Sequence, residues 1–127
     1  MEQYLIDTNV ISDYLSNSFN LIATSFLDEV VDSFPNLSVI TQIELLCWKT
    51  SSQIERNIKS FITDSNILNI NEDIIANCIK LRKGKKVKTP DAIIAATAIT
   101  YSYTLITNNV KDFENIKDLK IINPFSL

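Results

Sequence analysis

The stretch that decides the fold is TPDAIIAATAITYSYTLIT, residues 89–107. Its first part predicts a helix over 90–102, apolar nearly all round and packed closely through Ala92, Ala95, Ala96 and Ala98. Its last part, TLIT at 104–107, is short and β-branched, as a buried parallel strand should be. A helix with no polar face has to be covered on every side, and a strand that follows it directly supplies one of the covers. The same alternation runs through the chain. YLID (4–7), LSVI (37–40), ILNI (67–70) and KIIN (120–123) predict four more strands. Helical patterns occupy 9–16, 20–32, 41–62 with a break near Thr50–Ser52, and 72–83. Asn71 in ILNINED is placed to cap the helix before Glu72 and Asp73, and Gly84 to stop it. Cys47 and Cys78 show no zinc spacing and read as reduced, largely buried thiols. Strands alternating with helices predict an α/β/α architecture: a mostly parallel five-stranded sheet covered on both faces, in one domain spanning 1–127.

One residue in the opening stretch does not fit its surroundings. Asp91 stands at the mouth of the apolar helix. Helix-start chemistry accounts for it locally, since Thr89 can cap, Pro90 suits the first helical position and an acid in the first turn complements the dipole. The architecture adds a second possibility. Ligands bind parallel sheets beyond the carboxyl ends of the strands, where strand order reverses. Asp7 ends the first strand, Glu44 lies in the first turns after the second, and Asp112 follows the fourth. Asp91 joins them, because a helix leading into a strand starts at that strand's carboxyl edge. Singly, each acid is explained as a cap, a solvated helix residue or a turn former. Jointly they repel, by roughly 3 kcal/mol for two carboxylates about 6 Å apart at an effective dielectric of about 20.

A shared acidic rim calls for cations, and the composition narrows which. The chain has 127 residues, 46% of them hydrophobic, and contains no histidine. The commonest general base and the commonest transition-metal ligand are therefore both absent. An all-oxygen site prefers Mg²⁺ or Mn²⁺ to zinc, and such ions activate water against phosphodiesters without histidine. Net charge is −3, so the whole molecule does not attract nucleic acid, yet six of the 12 Lys and Arg residues fall between Lys80 and Lys88. This segment, with Lys83, Lys85, Lys86 and Lys88 just before Asp91, reads either as a solvated helix end or as a basic loop for phosphates. MEQYLIDTNV has neither a basic start nor a long apolar run, and no later segment approaches a membrane span, which predicts a cytoplasmic location.

LIDTNVI (5–11), TQIELL (41–46), TPDAIIAATA (89–98), LITNNVKDF (105–113) and LKIINPF (119–125) resemble, in that order and across essentially the whole chain, the PIN-domain ribonucleases. The resemblance is closest to the VapC toxins of bacterial toxin–antitoxin pairs. It implies a metal-dependent endoribonuclease in which Asp7, Glu44 and Asp91 hold Mg²⁺ or Mn²⁺. Thr8 and Asn9 would flank the first acid, and Thr107 and Asn109 would orient a ligand or water. It further implies a homodimer, a cognate antitoxin protein and structured RNA substrates such as transfer RNA. Many relatives carry an acid where this chain has Asn109, which makes Asp112 the candidate fourth acid, catalytic and metal-binding. The uncharged Asn109 also keeps open a non-catalytic PIN-like module that binds RNA or protein. An aspartyl-phosphate enzyme is disfavoured, since its second acid would fall at Asn9.

Overall fold

The computed structural model describes residues 2–127. Five strands, β1 (Tyr4–Ile6), β2 (Asn36–Ser38), β3 (Asn66–Leu68), β4 (Thr104–Ile106) and β5 (Ile121–Ile122), form one sheet in the order β3-β2-β1-β4-β5. Every pairing is parallel. Order therefore reverses between β1 and β4, whose register aligns Leu5 with Leu105 and Ile6 with Ile106. Because side chains alternate along a strand, these two aligned pairs face opposite ways. Ile6 and Ile106 enter a core with Val10, Ile11, Leu27, Leu37, Leu45 and Ile58, whereas Leu5 and Leu105 enter a second core with Ala92, Ile94, Ala95, Ala98 and Phe113. The three-layer α/β/α expectation holds, and the sheet is parallel throughout.

The first core is covered by α1 (Thr8–Leu15), α2 (Leu21–Asp32), α3 (Val39–Cys47) and α4 (Ser52–Thr63), the second by α5 (Glu72–Gly84), α6 (Thr89–Tyr101) and the short α7 (Val110–Phe113). Caps set several boundaries. Asn71 accepts from the Ile74 N–H at 2.9 Å, as expected. The predicted break in 41–62 lies at Trp48–Ser51, and Ser51 caps α4 by accepting from the Ile54 N–H.

The strand expected over 37–40 ends at Ser38, because the Ser38 hydroxyl accepts from the Ile40 N–H and turns Val39 and Ile40 into the first turn of α3. Thr89 is not a cap: it is the first residue of α6, Pro90 is the second, and Lys88 takes the cap position without a side-chain bond. Gly84 ends α5 as expected, as its last residue and without a left-handed turn. Cys47 is exposed, not buried, because it closes α3 on the side turned away from buried Thr41 and Leu45; Cys78 is half-buried. The segment Val110–Phe113 and the 3₁₀ turn Pro124–Ser126 are too short to show a period in sequence.

Candidate active site

β1 delivers Asp7 to the carboxyl rim at the point where strand order reverses, and its N–H extends the ladder by donating to the Ile106 carbonyl at 2.9 Å. Asp7 is only 6% exposed. Both its oxygens are engaged: Oδ1 accepts from the Thr8 N–H and Oδ2 from the Thr107 hydroxyl, each at 2.8 Å. Thr107 in turn accepts from the Asn109 N–H at 3.0 Å. Glu44 comes from α3, and its Oε1 accepts from the Thr8 hydroxyl at 2.6 Å. Asp91 opens α6 from the other side of the sheet.

A cleft of ≈ 300 Å³ lies between these elements. Asp7, Thr8, Asn9, Glu44, Asp91 and Asn109 all line it. Thr107 sits beneath, wholly buried, holding Asp7. Asp112 does not line the cleft. It is tied to the rim by the Asn109 side-chain amide, which donates to its Oδ2 at 2.6 Å. The lysines are placed differently from the acids. Lys83, Lys85 and Lys86 line a separate open depression with Arg82 and Val87, and the Lys85 ammonium is bonded to the Glu114 carbonyl. Lys88 caps α6 and acts electrostatically on Asp91.

Burial pushes the Asp7 carboxyl above its ordinary value; the Thr107 hydroxyl and the Thr8 N–H pull it back, and the nearby Asp91 and Glu44 charges push it up again. Asp91 is also raised, first by burial, then by Asp112 and Glu44, with Lys88 opposing. The folded chain therefore holds more protons than the unfolded one just above the ordinary aspartate value of 3.8. Stability from these two groups is fully present below that value and is lost as pH rises through their raised values. In chelator, the contribution of these two groups to the melting temperature should accordingly fall across this window, so that the Asp7→Asn profile runs flatter than the parent's. An Asp7→Asn profile that falls as steeply as the parent's would contradict the burial and charge crowding of Asp7.

The donors suit a hard cation: they are carboxylate oxygens, mutually repelling, with no imidazole in the chain and neither cysteine lining the cleft. Among the described residues, however, no three such groups stand ready-arranged as a metal cluster. Glu44 and Asp112 are each held through one oxygen by a protein donor, Thr8 and Asn109, which leaves Glu44 Oε2 and Asp112 Oδ1 as the oxygens for an ion.

Ser12, Leu45 and Trp48 also line the cleft and were not expected there. Helical spacing offered a signal for two of them, since Ser12 follows Thr8 by four residues and Trp48 follows Glu44 by four. Leu45 gave none, because its side chain belongs mainly to the core.

Comparison with known proteins agrees with this geometry. The pattern that defines the PIN domain matches residues 4–119. Ribonuclease VapC1 of Haemophilus influenzae (strain R2866) is 34% identical over 131 residues, covering 92% of this chain and 94% of that protein. Among solved structures, a toxin–antitoxin complex from Klebsiella pneumoniae superposes with TM-score 0.74 at 31% identity, over 96% of this chain and 98% of the other. FitAcB from Neisseria gonorrhoeae superposes with TM-score 0.81 at 28% identity, over 98% and 100%. With a five-stranded parallel sheet, an acid-lined cleft at its switch point and a family match over most of its length, this chain belongs to the PIN-domain family.

Proposed function

We propose that this chain is the ribonuclease toxin of a toxin–antitoxin pair, a Mg²⁺- or Mn²⁺-dependent endoribonuclease that hydrolyses RNA phosphodiester bonds. The observation that carries the reading is the cleft lined by Asp7, Glu44 and Asp91, in a chain whose relatives include a ribonuclease. A cation held by these three would supply Lewis-acid activation of water and of a phosphoryl oxygen. The chain's own residues supply position. Thr107 and the Thr8 N–H hold both oxygens of Asp7, and the rigid start of α6 holds Asp91. Asn109 brings Asp112 to the edge, where we assign it the fourth acidic role; Asn9 and Asn109 present amides to a ligand or water in the cleft. Structured RNA, transfer RNA among it, is the substrate class we favour.

A toxin–antitoxin complex among the similar solved structures supports a cognate antitoxin as partner, and we propose in addition that this chain forms a homodimer. Exposed Leu21, Ile22, Ile43, Leu46, Ile75 and Ile79 supply apolar surface for such partners. No helix among the described residues is long and apolar enough to cross a membrane, and we place the activity in the cytoplasm. One observation favours a second reading, a non-catalytic module binding RNA or protein: the position occupied by Asn109 has no charge. Incubating the purified chain with transfer RNA and other RNAs, with Mg²⁺, Mn²⁺ or chelator, separates the two. Metal-dependent cleavage supports the enzyme, while binding with no cleavage in either metal supports the module.

The basic depression is assigned to substrate phosphates. Replacing Lys83, Lys85, Lys86 and Lys88 by glutamine should weaken RNA binding and reduce the slope of log affinity against log salt. The reduction is roughly 0.7 for each lost phosphate contact on single strands. Lys85 should contribute least, because its ammonium is engaged by Glu114. An unchanged slope in a filter-binding titration would return the segment to a solvated helix end.

A further inference from the structure

We propose that Thr41 is a positioning residue for the acidic cleft: through Thr8 it fixes the direction in which Glu44 is held. The inference rests on the metal-dependent reading above. Thr41 does not line the cleft and is 0% exposed. Its hydroxyl lies 3.2 Å from that of Thr8, and the Thr8 hydroxyl lies 2.6 Å from Glu44 Oε1.

Proton counting gives this arrangement a direction. A threonine hydroxyl has one proton and two acceptor sites, and an ionised carboxylate only accepts. The Thr8 proton therefore points at Glu44, in the shorter and charge-assisted bond. Thr8 can then only accept from Thr41. Thr8 Oγ1 is the hydrogen-bonding partner of the buried Thr41 hydroxyl, so with the Thr8 proton committed to Glu44 the proton between the two hydroxyls is that of Thr41. The relay runs from Thr41 to Thr8 to Glu44, each bond polarising the next.

Its geometry is a clamp. Thr41 and Glu44 stand three residues apart on α3, one turn from each other on one side of the helix. The hydroxyl of Thr8, from α1, lies between them. The same residue's N–H holds Asp7 Oδ1. Thr8 thus links the first two acids, and Thr41 is the buried anchor that sets its rotamer. Glu44 would otherwise be an exposed side chain free to turn about three torsions. With Oε1 occupied by Thr8, Oε2 is the oxygen left for a ligand in the cleft.

Thr41→Val keeps the branched shape and removes the hydroxyl. Mn²⁺ titration of the intact chain by calorimetry, without RNA, should show Thr41→Val binding about tenfold more weakly than the parent, at the low end of the ~10–100-fold range for outer-shell partners of a metal site. Thr41→Ser, which restores the hydroxyl, should bind within about threefold of the parent. Thr41→Val that binds as tightly as the parent or tighter, or Thr41→Ser that binds as weakly as Thr41→Val, would overturn the relay. A parent that binds no Mn²⁺ would overturn the metal-dependent reading itself, and that failure shows in the parent arm alone. If Thr41→Val melts far below the parent in chelator, Thr8→Val carries the same test: it should lose at least tenfold in Mn²⁺ affinity, and parent-like affinity overturns the relay.

Discussion

Replacing Asp7 by asparagine is expected to reduce RNA cleavage on the order of a thousandfold, equivalent to about 4 kcal/mol of transition-state stabilisation, while leaving the chain folded. The two halves of this expectation have separate causes. Cleavage falls because the change removes the charge of the most buried acid in the cleft, the one best placed to hold a cation. The fold survives because asparagine has nearly the same shape and can still accept from the Thr8 N–H. On the other side, the Thr107 oxygen, which already accepts from the Asn109 N–H, has a second acceptor site for the new amide, at the cost of leaving its own proton without the carboxylate it donated to. Initial rates on a fixed RNA at saturating Mn²⁺, beside circular dichroism melts of both proteins, check both halves. Cleavage within tenfold of the parent would remove Asp7 from the mechanism.

Asp91→Asn should raise the stability of the metal-free protein and diminish its response to Mg²⁺. Asp91 lies within electrostatic reach of Asp112 and Glu44, with Lys88 as partial compensation. Removing its charge relieves repulsion, but the group is partly exposed and screened, and a favourable first-turn charge is lost with it. The net gain should be about 1–2 kcal/mol, or roughly 3–6 °C in melting temperature. In the parent, Mg²⁺ at a hundred times its Kd should add about 2.7 kcal/mol by mass action, and asparagine at 91 should remove most of that increment at the same concentration. A helix-start role alone predicts the opposite sign, with the mutant neutral or weaker in chelator and metal without effect on either protein. Melts of both chains in chelator and in Mg²⁺ decide between them.

Much of this was legible in sequence, for reasons that apply within single elements. β-branched runs of three or four residues mark buried strands, and the all-round apolar pattern of 90–102 marks a helix enclosed by neighbours. Asn71 announces a helix start, because capping is chemistry between residues two or three apart, and the interruption near Thr50–Ser52 marks the break between two helices. Strand–helix alternation also brings Asp7, Glu44 and Asp91 to one rim, since that placement follows from chain direction alone.

Relations between elements were not legible. The strand order, and with it the switch point beside β1, depends on which neighbours pack best across the sheet. No local period reports that. The bond from Thr107 to Asp7 spans 100 residues, and the clamp of Thr41, Thr8 and Glu44 spans more than 30. Both exist only once helices from different parts of the chain have docked on the rim. The same holds for Asp112, which is bonded to Asn109 and stands outside the cleft lining, and for the lysines, which gather in a depression of their own. Cys47 is exposed for a comparable reason: composition says thiols are usually buried, but the direction a helix turns its faces is set by the sheet it packs against. Residue type and spacing determined which groups reach the site. Packing alone decided which hydrogen bonds hold them there, because hydrogen-bond geometry is fixed within a few tenths of an ångström and spacing along the chain is blind to that scale.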